Sequence, residues 1–185
     1  RELGALGGAL ADTRRGVPVV VTVHGPPGTG KTLLLDRFIE QLRSEGSTVV
    51  LTGRCYQRES LPYKAFDAVI DGLSRYLRRL PDAEVEALLP RNVGELVRLF
   101  PVLERVEAVQ RAPHCGAEAS DDDPRPRAFA AIKELFGRIA DRHPLAIVVD
   151  DLHWGDHDSA DLLIELLQAP DAPALLFVAG FRSDL

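Results

Sequence analysis

The chain has 185 residues, of which 45% are hydrophobic and 27% are charged, and these ordinary globular values argue against wholesale disorder. Its 22 basic and 28 acidic residues give a net charge of −6, which argues against direct nucleic-acid binding by this segment. No apolar run approaches the roughly 20 residues that a membrane span needs, so we expect no membrane partner.

Four short apolar runs, rich in β-branched residues and without polar alternation, predict strands that are buried on both faces. They are Val17–Val23, Thr48–Thr52, Leu145–Val149 and Ala174–Ala179. Apolar residues at helical spacing predict amphipathic helices between the strands. These helices are Thr32–Glu45, Tyr63–Leu80, Arg127–Arg142 and Asp158–Gln168. Strands that alternate with helices predict an α/β fold with a parallel sheet covered on both faces.

One region interrupts this alternation. More than 90 residues separate the second and third predicted strands, which is too many for a simple crossover. Shorter helical pieces are predicted around Ala83–Leu89 and Val93–Val109, and residues 111–125 have no apolar periodicity and predict a flexible loop. We therefore expect one domain over residues 1–185 with a helical insertion at about 81–125.

A glycine-rich motif stands directly after the first predicted strand and before the first predicted helix. It has the sequence GPPGTGKT and matches the pattern G-x-x-x-x-G-K-[ST]. Its glycines permit tight turns that point backbone N–H groups at an anion, and the N-terminus of the next helix adds its positive dipole. We predict that nucleotide phosphates bind to this phosphate loop, which comprises Gly25, Pro26, Pro27, Gly28, Thr29, Gly30, Lys31, Thr32 and Leu33.

Two side chains of the phosphate loop have more specific predicted roles. Lys31 is expected to place a positive charge beside the β- and γ-phosphates, where it serves both binding and catalysis. Thr32 is expected to ligate Mg²⁺ through its hydroxyl. A turn that matches the pattern by chance is the alternative, and the flanking strand and helix argue against it.

An acidic pair ends the third predicted strand. Asp150 and Asp151 follow the apolar run Leu145–Val149, and this pattern resembles a Walker B motif. Asp150 is expected to face the phosphate loop and to hold Mg²⁺, directly or through water. Asp151 is then placed to orient or activate the attacking water. Many ATPases of this type have Glu at the second position, so the shorter aspartate leaves the catalytic strength of Asp151 open.

The fourth predicted strand leads into Gly180-Phe181-Arg182. In phosphate-loop ATPases with an extra strand between the two Walker strands, that strand ends in a polar residue that senses the γ-phosphate. Arg182 is the candidate for this role, in which it would stabilise charge on the transferred phosphoryl group. An exposed loop arginine without a catalytic role is the alternative.

Four segments together resemble the ATPase domain of the STAND class, in particular the AAA-type (origin-recognition-like) modules of large bacterial signalling proteins. The segments are GPPGTGKT, GRCYQRESLPYKAFDAVID from Gly53, DDLHWGDHDS from Asp150 and the terminal GFRSD. The resemblance implies a P-loop NTPase three-layer sandwich with strand order 5-1-4-3-2, in which the Ala174 strand lies between the Val17 and Leu145 strands. The fifth strand and the lid of the family are expected to be absent from this fragment.

The resemblance also implies ligands and partners. The ligands are ATP or ADP with Mg²⁺, and the partners are other domains of the same parent chain, namely kinase, DNA-binding or cyclase domains and helical repeats. Nucleotide-dependent self-association is a further expectation. Guanine-specific proteins usually read the base with Asn-Lys-x-Asp, and neither Lys64 nor Lys133 stands in such a motif, so ATP is favoured over GTP.

Two functions remain open from these observations. The first is a slow Mg²⁺-dependent ATPase that acts as a regulatory switch, and the second is a nucleotide-holding switch or scaffold with negligible turnover. A P-loop kinase for a small molecule ranks lower because no Arg-rich lid motif is present near the end of the chain.

The two cysteines lack a CxxC pattern, which favours a reducing, cytoplasmic setting. The absence of methionine predicts that the sequence is a segment of a longer chain.

Three lesser features have alternative interpretations. His153 and His157 with Asp156 between them are compatible with a metal site, but the glycine in this segment favours a connecting loop. His153, Trp154 and Arg54 resemble family positions, and packing or surface roles are the alternatives. The run Asp121–Asp123 lacks the glycine and distal glutamate of a calcium loop and is interpreted as a solvated charge run.

Overall fold

The computed structural model describes residues 1–57, 62–113 and 123–183. Four strands form within these ranges: β1 (Val19–Gly25), β2 (Val49–Arg54), β3 (Leu145–Asp150) and β4 (Leu175–Arg182). Eight α-helices form within the same ranges: α1 (Glu2–Asp12), α2 (Lys31–Glu45), α3 (Lys64–Leu77), α4 (Asp82–Leu88), α5 (Val93–Leu99), α6 (Glu107–Arg111), α7 (Arg125–Ala140) and α8 (His157–Leu167).

The strands form one parallel sheet in the order β1-β4-β3-β2. The predicted α/β fold class is confirmed, and so is the predicted order of these four strands. In a parallel sheet the carboxyl ends of all strands lie at one edge, and ligands bind outside that edge. The phosphate loop after β1 and the acidic pair at the end of β3 are therefore brought to the same edge.

Two hydrophobic clusters cover the two faces of the sheet, because side chains alternate along each strand. In β3, Leu145, Ile147 and Val149 belong to the larger cluster, which also contains residues of α3, α7 and α8. The alternate residues Ala146 and Val148 belong to the smaller cluster, which contains residues of α1 and α2. All six residues of β3 are buried, as its apolar run predicted.

The first strand departs from its prediction. The run Val17–Val23 predicted burial on both faces, but burial alternates along β1, and Val20 is 51% exposed. Val19, Val21 and Val23 pack against the smaller cluster, whereas Val20 points to the opposite face. The prediction is wrong for β1 because this strand lies at the end of the sheet's order, and an apolar run does not reveal whether a strand is central or at an edge.

The N-terminal helix α1 was not predicted. Its sequence, ELGALGGALAD, contains three glycines, which weaken a helical pattern by roughly 1 kcal/mol each relative to alanine. Tertiary packing offsets this cost, because Leu6 is buried in the smaller cluster with residues of α2. The helix thus covers the same face of the sheet as the helix that follows the phosphate loop.

The segment between β2 and β3 contains α3 to α7. The predicted helical piece Val93–Val109 is interrupted, because Pro101 begins a 3₁₀ turn over Pro101–Arg105 between α5 and α6. The flexible loop predicted at about 111–125 overlaps a helix by one residue at each end, since Arg111 closes α6 and Arg125 opens α7. Residues 114–122 of that prediction, which include Cys115 and Asp121, lie outside the described residues.

Candidate functional site

The phosphate loop bridges the end of β1 and the start of α2. Gly28 and Gly30 have φ angles of 81° and 86°, in the left-handed region that glycine enters without a steric penalty. Within the loop, the Thr29 hydroxyl donates to the Pro26 carbonyl at 2.8 Å, which closes the turn. Gly30 precedes the first helical residue, so the unpaired N–H groups of the first turn of α2 adjoin the loop. The backbone thus presents the donors and the dipole that an anion requires.

Lys31 folds back over this loop. Its Nζ donates to the carbonyl of Gly25 at 2.7 Å and to the carbonyl of Pro26 at 2.9 Å. The ammonium group is therefore held against the first two residues of the phosphate loop and not extended into solvent. Of the remaining predicted nucleotide-binding residues, Pro27 and Thr29 are exposed on the loop, and Leu33 is 62% exposed on α2.

Thr32 and Asp150 meet although they lie 118 positions apart in the sequence. The Thr32 hydroxyl donates to Asp150 Oδ2 at 2.7 Å. The other carboxylate oxygen, Oδ1, accepts from the backbone N–H of Asp151 at 2.9 Å, and Asp150 is only 8% exposed. A hydroxyl and a carboxylate beside an anion-binding loop are the oxygen ligands that Mg²⁺ takes in nucleotide sites. The residues present therefore fit this metal.

Asp151 has a different environment from its neighbour. Its backbone is in the left-handed region, with φ of 53°. Its carboxylate Oδ2 accepts hydrogen bonds from Arg54 Nη2 at 3.0 Å and Nε at 3.2 Å. This hydrogen bond is the main reason that the pKa of the Arg54 guanidinium is raised. The end of β2 thus supplies a cation to the carboxylate that was predicted to orient water.

A comparison with models of known protein families identifies the family to which this chain belongs. A family model described as "AAA ATPase domain" matches residues 1–178. The chain belongs to this AAA ATPase family. It is a nucleotide-binding ATPase module by membership, and members of the family generally use nucleotide with Mg²⁺.

Among solved structures, the AAA domain is similar to C. elegans PCH-2, at 15% sequence identity and a TM-score of 0.43. The match covers 99% of this chain and 37% of the PCH-2 chain, so this chain spans little more than a third of that neighbour's length. A comparison with curated proteins gave no significant match.

Arg182 ends β4 of the AAA domain, next to the phosphate loop. Its Cα lies opposite that of Gly25 in the register of β4 with β1, and the N–H of Ser183 donates to the Gly25 carbonyl at 3.4 Å. The Arg182 side chain is partly buried. The structure thus brings the backbone of this predicted residue to the first residue of the loop, and its catalytic role stays a prediction.

The loop that follows β3 contains a residue whose role the sequence did not reveal. Asp156 caps α8 by accepting from Ser159 N at 2.9 Å and from Ser159 Oγ at 2.6 Å. The same carboxylate accepts from the backbone N–H groups of Tyr63 and Lys64 at 3.0 Å each, at the start of α3. One carboxylate therefore caps two helices. The signal for the first cap was present as Asp156 three positions before Ser159, but nothing in the sequence indicated the second.

Hydrogen bonding also shifts the titration of this residue. Burial alone would raise the pKa of the Asp156 carboxyl, but the hydrogen bonds from Ser159 and Tyr63 outweigh burial and hold the pKa below its ordinary value of 3.8. Asp156 is therefore an ionised cap whose two carboxylate oxygens accept hydrogen bonds from the starts of α3 and α8.

The neighbouring histidines do not form a metal site with it. His153 lies in a 3₁₀ turn over Leu152–Trp154, where its ring lies 4.9 Å from the Trp154 ring, and His157 begins α8. No group of three or more potential metal-binding side chains occurs in the described part of the chain.

Among the helices of residues 1–57, 62–113 and 123–183, none has the length and apolar character that a membrane span requires.

Proposed function

We propose that this AAA domain binds ATP with Mg²⁺ and hydrolyses it slowly, as a regulatory module of a larger signalling protein. The observation that carries the proposal is the hydrogen bond between Thr32 and Asp150 at the base of the phosphate loop. This hydrogen bond joins the two residues that the sequence predicted as metal ligands, and it supports a role for them beside the backbone N–H groups that we propose bind phosphate.

Different residues of the site are proposed to bind the phosphates, hold the metal and orient the attacking water. The phosphate loop amides and Lys31 bind the phosphates, and Thr32 and Asp150 are the residues that would hold Mg²⁺. When bound, the metal neutralises charge on the phosphate oxygens. Asp151 lies directly after the metal-holding carboxylate, where a base can orient water for attack on the γ-phosphate. Arg182 contributes positive charge at the same edge of the sheet.

A second function is favoured by the pairing of Arg54 with Asp151. Asp151 Oδ2 already accepts two hydrogen bonds from Arg54, so this oxygen is not free to accept one from an attacking water. If this pair persists with nucleotide bound, the domain holds ATP or ADP and reports its state with negligible turnover. The two functions share the binding site and differ only in the role of Asp151.

Steady-state phosphate release, measured beside nucleotide affinity, separates the two functions. In the slow ATPase, Asp151→Asn lowers turnover by about 10²-fold or more and leaves affinity within about twofold. Asp161→Asn, an exposed carboxylate on α8, is the matched control and is expected to leave both values unchanged. Unchanged turnover in Asp151→Asn contradicts a catalytic role for this residue, and absence of turnover in the unaltered chain supports the nucleotide-holding switch.

The signalling context rests on the four segments that resemble STAND-class modules. It predicts a kinase, DNA-binding or cyclase domain, or helical repeats, elsewhere in the parent chain. It also predicts a change in sedimentation coefficient when ATP replaces ADP, because self-association is expected to depend on nucleotide. The parent reading frame and sedimentation velocity test these two expectations separately.

A further inference from the structure

The space around the Asp150 carboxylate is limited by the neighbouring strand. Gly180 lies on β4, one position beyond the Val149–Ala179 pair that closes the register between β3 and β4. A Cβ atom added to Gly180 would overlap Asp150 Oδ1, at a separation well under the 3.0 Å that real Cβ atoms essentially never pass. It would also lie 3.3 Å from Asp150 Cα and 3.3 Å from Leu35 Cδ1. The carboxylate thus occupies the volume that any other residue at position 180 would fill.

The Asp150 carboxylate cannot easily leave this volume, because both of its oxygens accept hydrogen bonds. Oδ1 accepts from the Asp151 N–H and Oδ2 accepts from the Thr32 hydroxyl. A rotation that removes Oδ1 from an added Cβ breaks at least one of these hydrogen bonds, because an aspartate side chain has only two torsions. The backbone on either side belongs to central strands and offers little relaxation.

We propose that Gly180 is a positioning residue of the metal site, because only glycine at this position lets β4 accept the Asp150 carboxylate in the orientation that meets Thr32. Its φ angle is not in the left-handed region, so the requirement is one of space and not of backbone conformation. The metal-binding part of this inference rests on the proposed function, whereas the steric part does not.

The steric part is tested by a double-mutant cycle on the free energy of unfolding. Gly180→Ala is introduced into the unaltered chain and into Asp150→Ala, and unfolding in urea is followed by circular dichroism. We expect Gly180→Ala to lower the folding equilibrium constant at least about tenfold more when the Asp150 carboxylate is present than when it is absent. Equal costs in the two backgrounds would overturn the inference, because Leu35 and the backbone would then account for the clash.

This design remains decisive if Gly180→Ala alone does not fold. Folding of the double variant together with failure of the single variant supports the inference, and failure of both overturns it. Gly137→Ala is the matched control, since an added Cβ on this glycine of α7 meets no atom within 4 Å. It is expected to raise stability, because alanine is the better helix former, and to show no coupling to Asp150→Ala.

The metal-binding part is tested by nucleotide affinity with and without the metal. ADP binding is measured by calorimetry in Mg²⁺ and in EDTA, with the unaltered chain, Gly180→Ala and Gly137→Ala. We expect Gly180→Ala to lose about 10- to 100-fold of the affinity gained from Mg²⁺ and to keep its affinity in EDTA within about twofold. A gain from Mg²⁺ that survives in Gly180→Ala would overturn the positioning role.

The two failures can be told apart. If the unaltered chain gains no affinity from Mg²⁺, the proposed metal site is wrong, whatever the unfolding cycle shows. If the unaltered chain gains affinity and the cycle shows no coupling, the metal site stands and the role of Gly180 is wrong.

Discussion

The two loops that form the site are stabilised in different ways. In the phosphate loop after β1, the hydrogen bonds of Thr29 and Lys31 reach partners three to six positions away in the sequence. At the end of β3 and in the loop after it, the side chains of Asp150, Asp151 and Asp156 each have at least one hydrogen-bond partner that lies 92 to 118 positions away. The turn of the first loop is thus closed by hydrogen bonds among its own residues, and Thr32 links it to the distant Asp150. The second exists only when β2, α2 and α3 are already in place around it.

We therefore expect substitutions in the first loop to change nucleotide affinity. We expect substitutions in the second loop to change the free energy of unfolding as well. The predictions below test that difference, from the largest expected effect to the smallest.

Lys31→Ala is expected to have the largest effect, and on binding only. Removal of the ammonium leaves the β- and γ-phosphates without their point charge, and we expect ATP affinity to fall by about 10²-fold or more. Stability should change little, because the two hydrogen bonds that Lys31 makes within the described residues are to the nearby carbonyls of Gly25 and Pro26. Calorimetry with ATP measures the affinity. Lys133→Ala is the control, since Lys133 bonds to the Gln168 carbonyl away from the loop, and equal losses in both variants would contradict the prediction.

Asp156→Ala is expected to destabilise the fold by about 1–3 kcal/mol. The substitution leaves the N–H groups of Ser159, Tyr63 and Lys64 without their acceptor and so removes the caps of two helices. Urea unfolding gives the free energy of unfolding, and Asp161→Ala on the exposed face of α8 is the matched control. A loss no larger than that of the control would show that water replaces the carboxylate at no cost.

Arg54→Gln is expected to change the free energy of unfolding by less than about 1 kcal/mol, because the Arg54 side chain is 47% exposed and such pairs are weak. Its effect should instead appear in turnover. Without the guanidinium, Asp151 Oδ2 is free to accept a hydrogen bond from the attacking water, so we expect phosphate release to rise while nucleotide affinity stays within about twofold. A fall in turnover with unchanged affinity would indicate that Arg54 assists the reaction directly.

The smallest expected effect concerns pH. Because the pKa of Asp156 in the folded state lies below 3.8, its ionised form stabilises the fold fully at pH values well above 3.8. This contribution is lost as the pH falls through the folded-state pKa. The difference in unfolding free energy between the unaltered chain and Asp156→Asn should therefore shrink between about pH 5 and about pH 2. Urea titrations across this range measure it, and a constant or growing difference would contradict the lowered pKa.

The fold and half of the site were accessible from the sequence because their signals are local. The apolar run of β3 predicted a buried strand, and the GPPGTGKT motif predicted tight glycine turns before a helix. The prediction failed where the outcome depended on neighbours in space. The apolar run in β1 resembles that of β3, yet β1 lies at an end of the sheet and is half-exposed. Helix α1 has a weak helical pattern in its sequence, and it forms because Leu6 packs into the smaller hydrophobic cluster.

By itself, the sequence determined the parallel α/β architecture, the phosphate loop and the identity of the acidic pair, because periodicity and turn chemistry act over a few residues. Only the tertiary structure decided how the two carboxylates of that pair differ. It turns Asp150 toward Thr32, in space that Gly180 leaves open, and Asp151 toward Arg54. These partners lie on strands and helices distant in the chain, and packing of the sheet is what brings them within hydrogen-bonding distance.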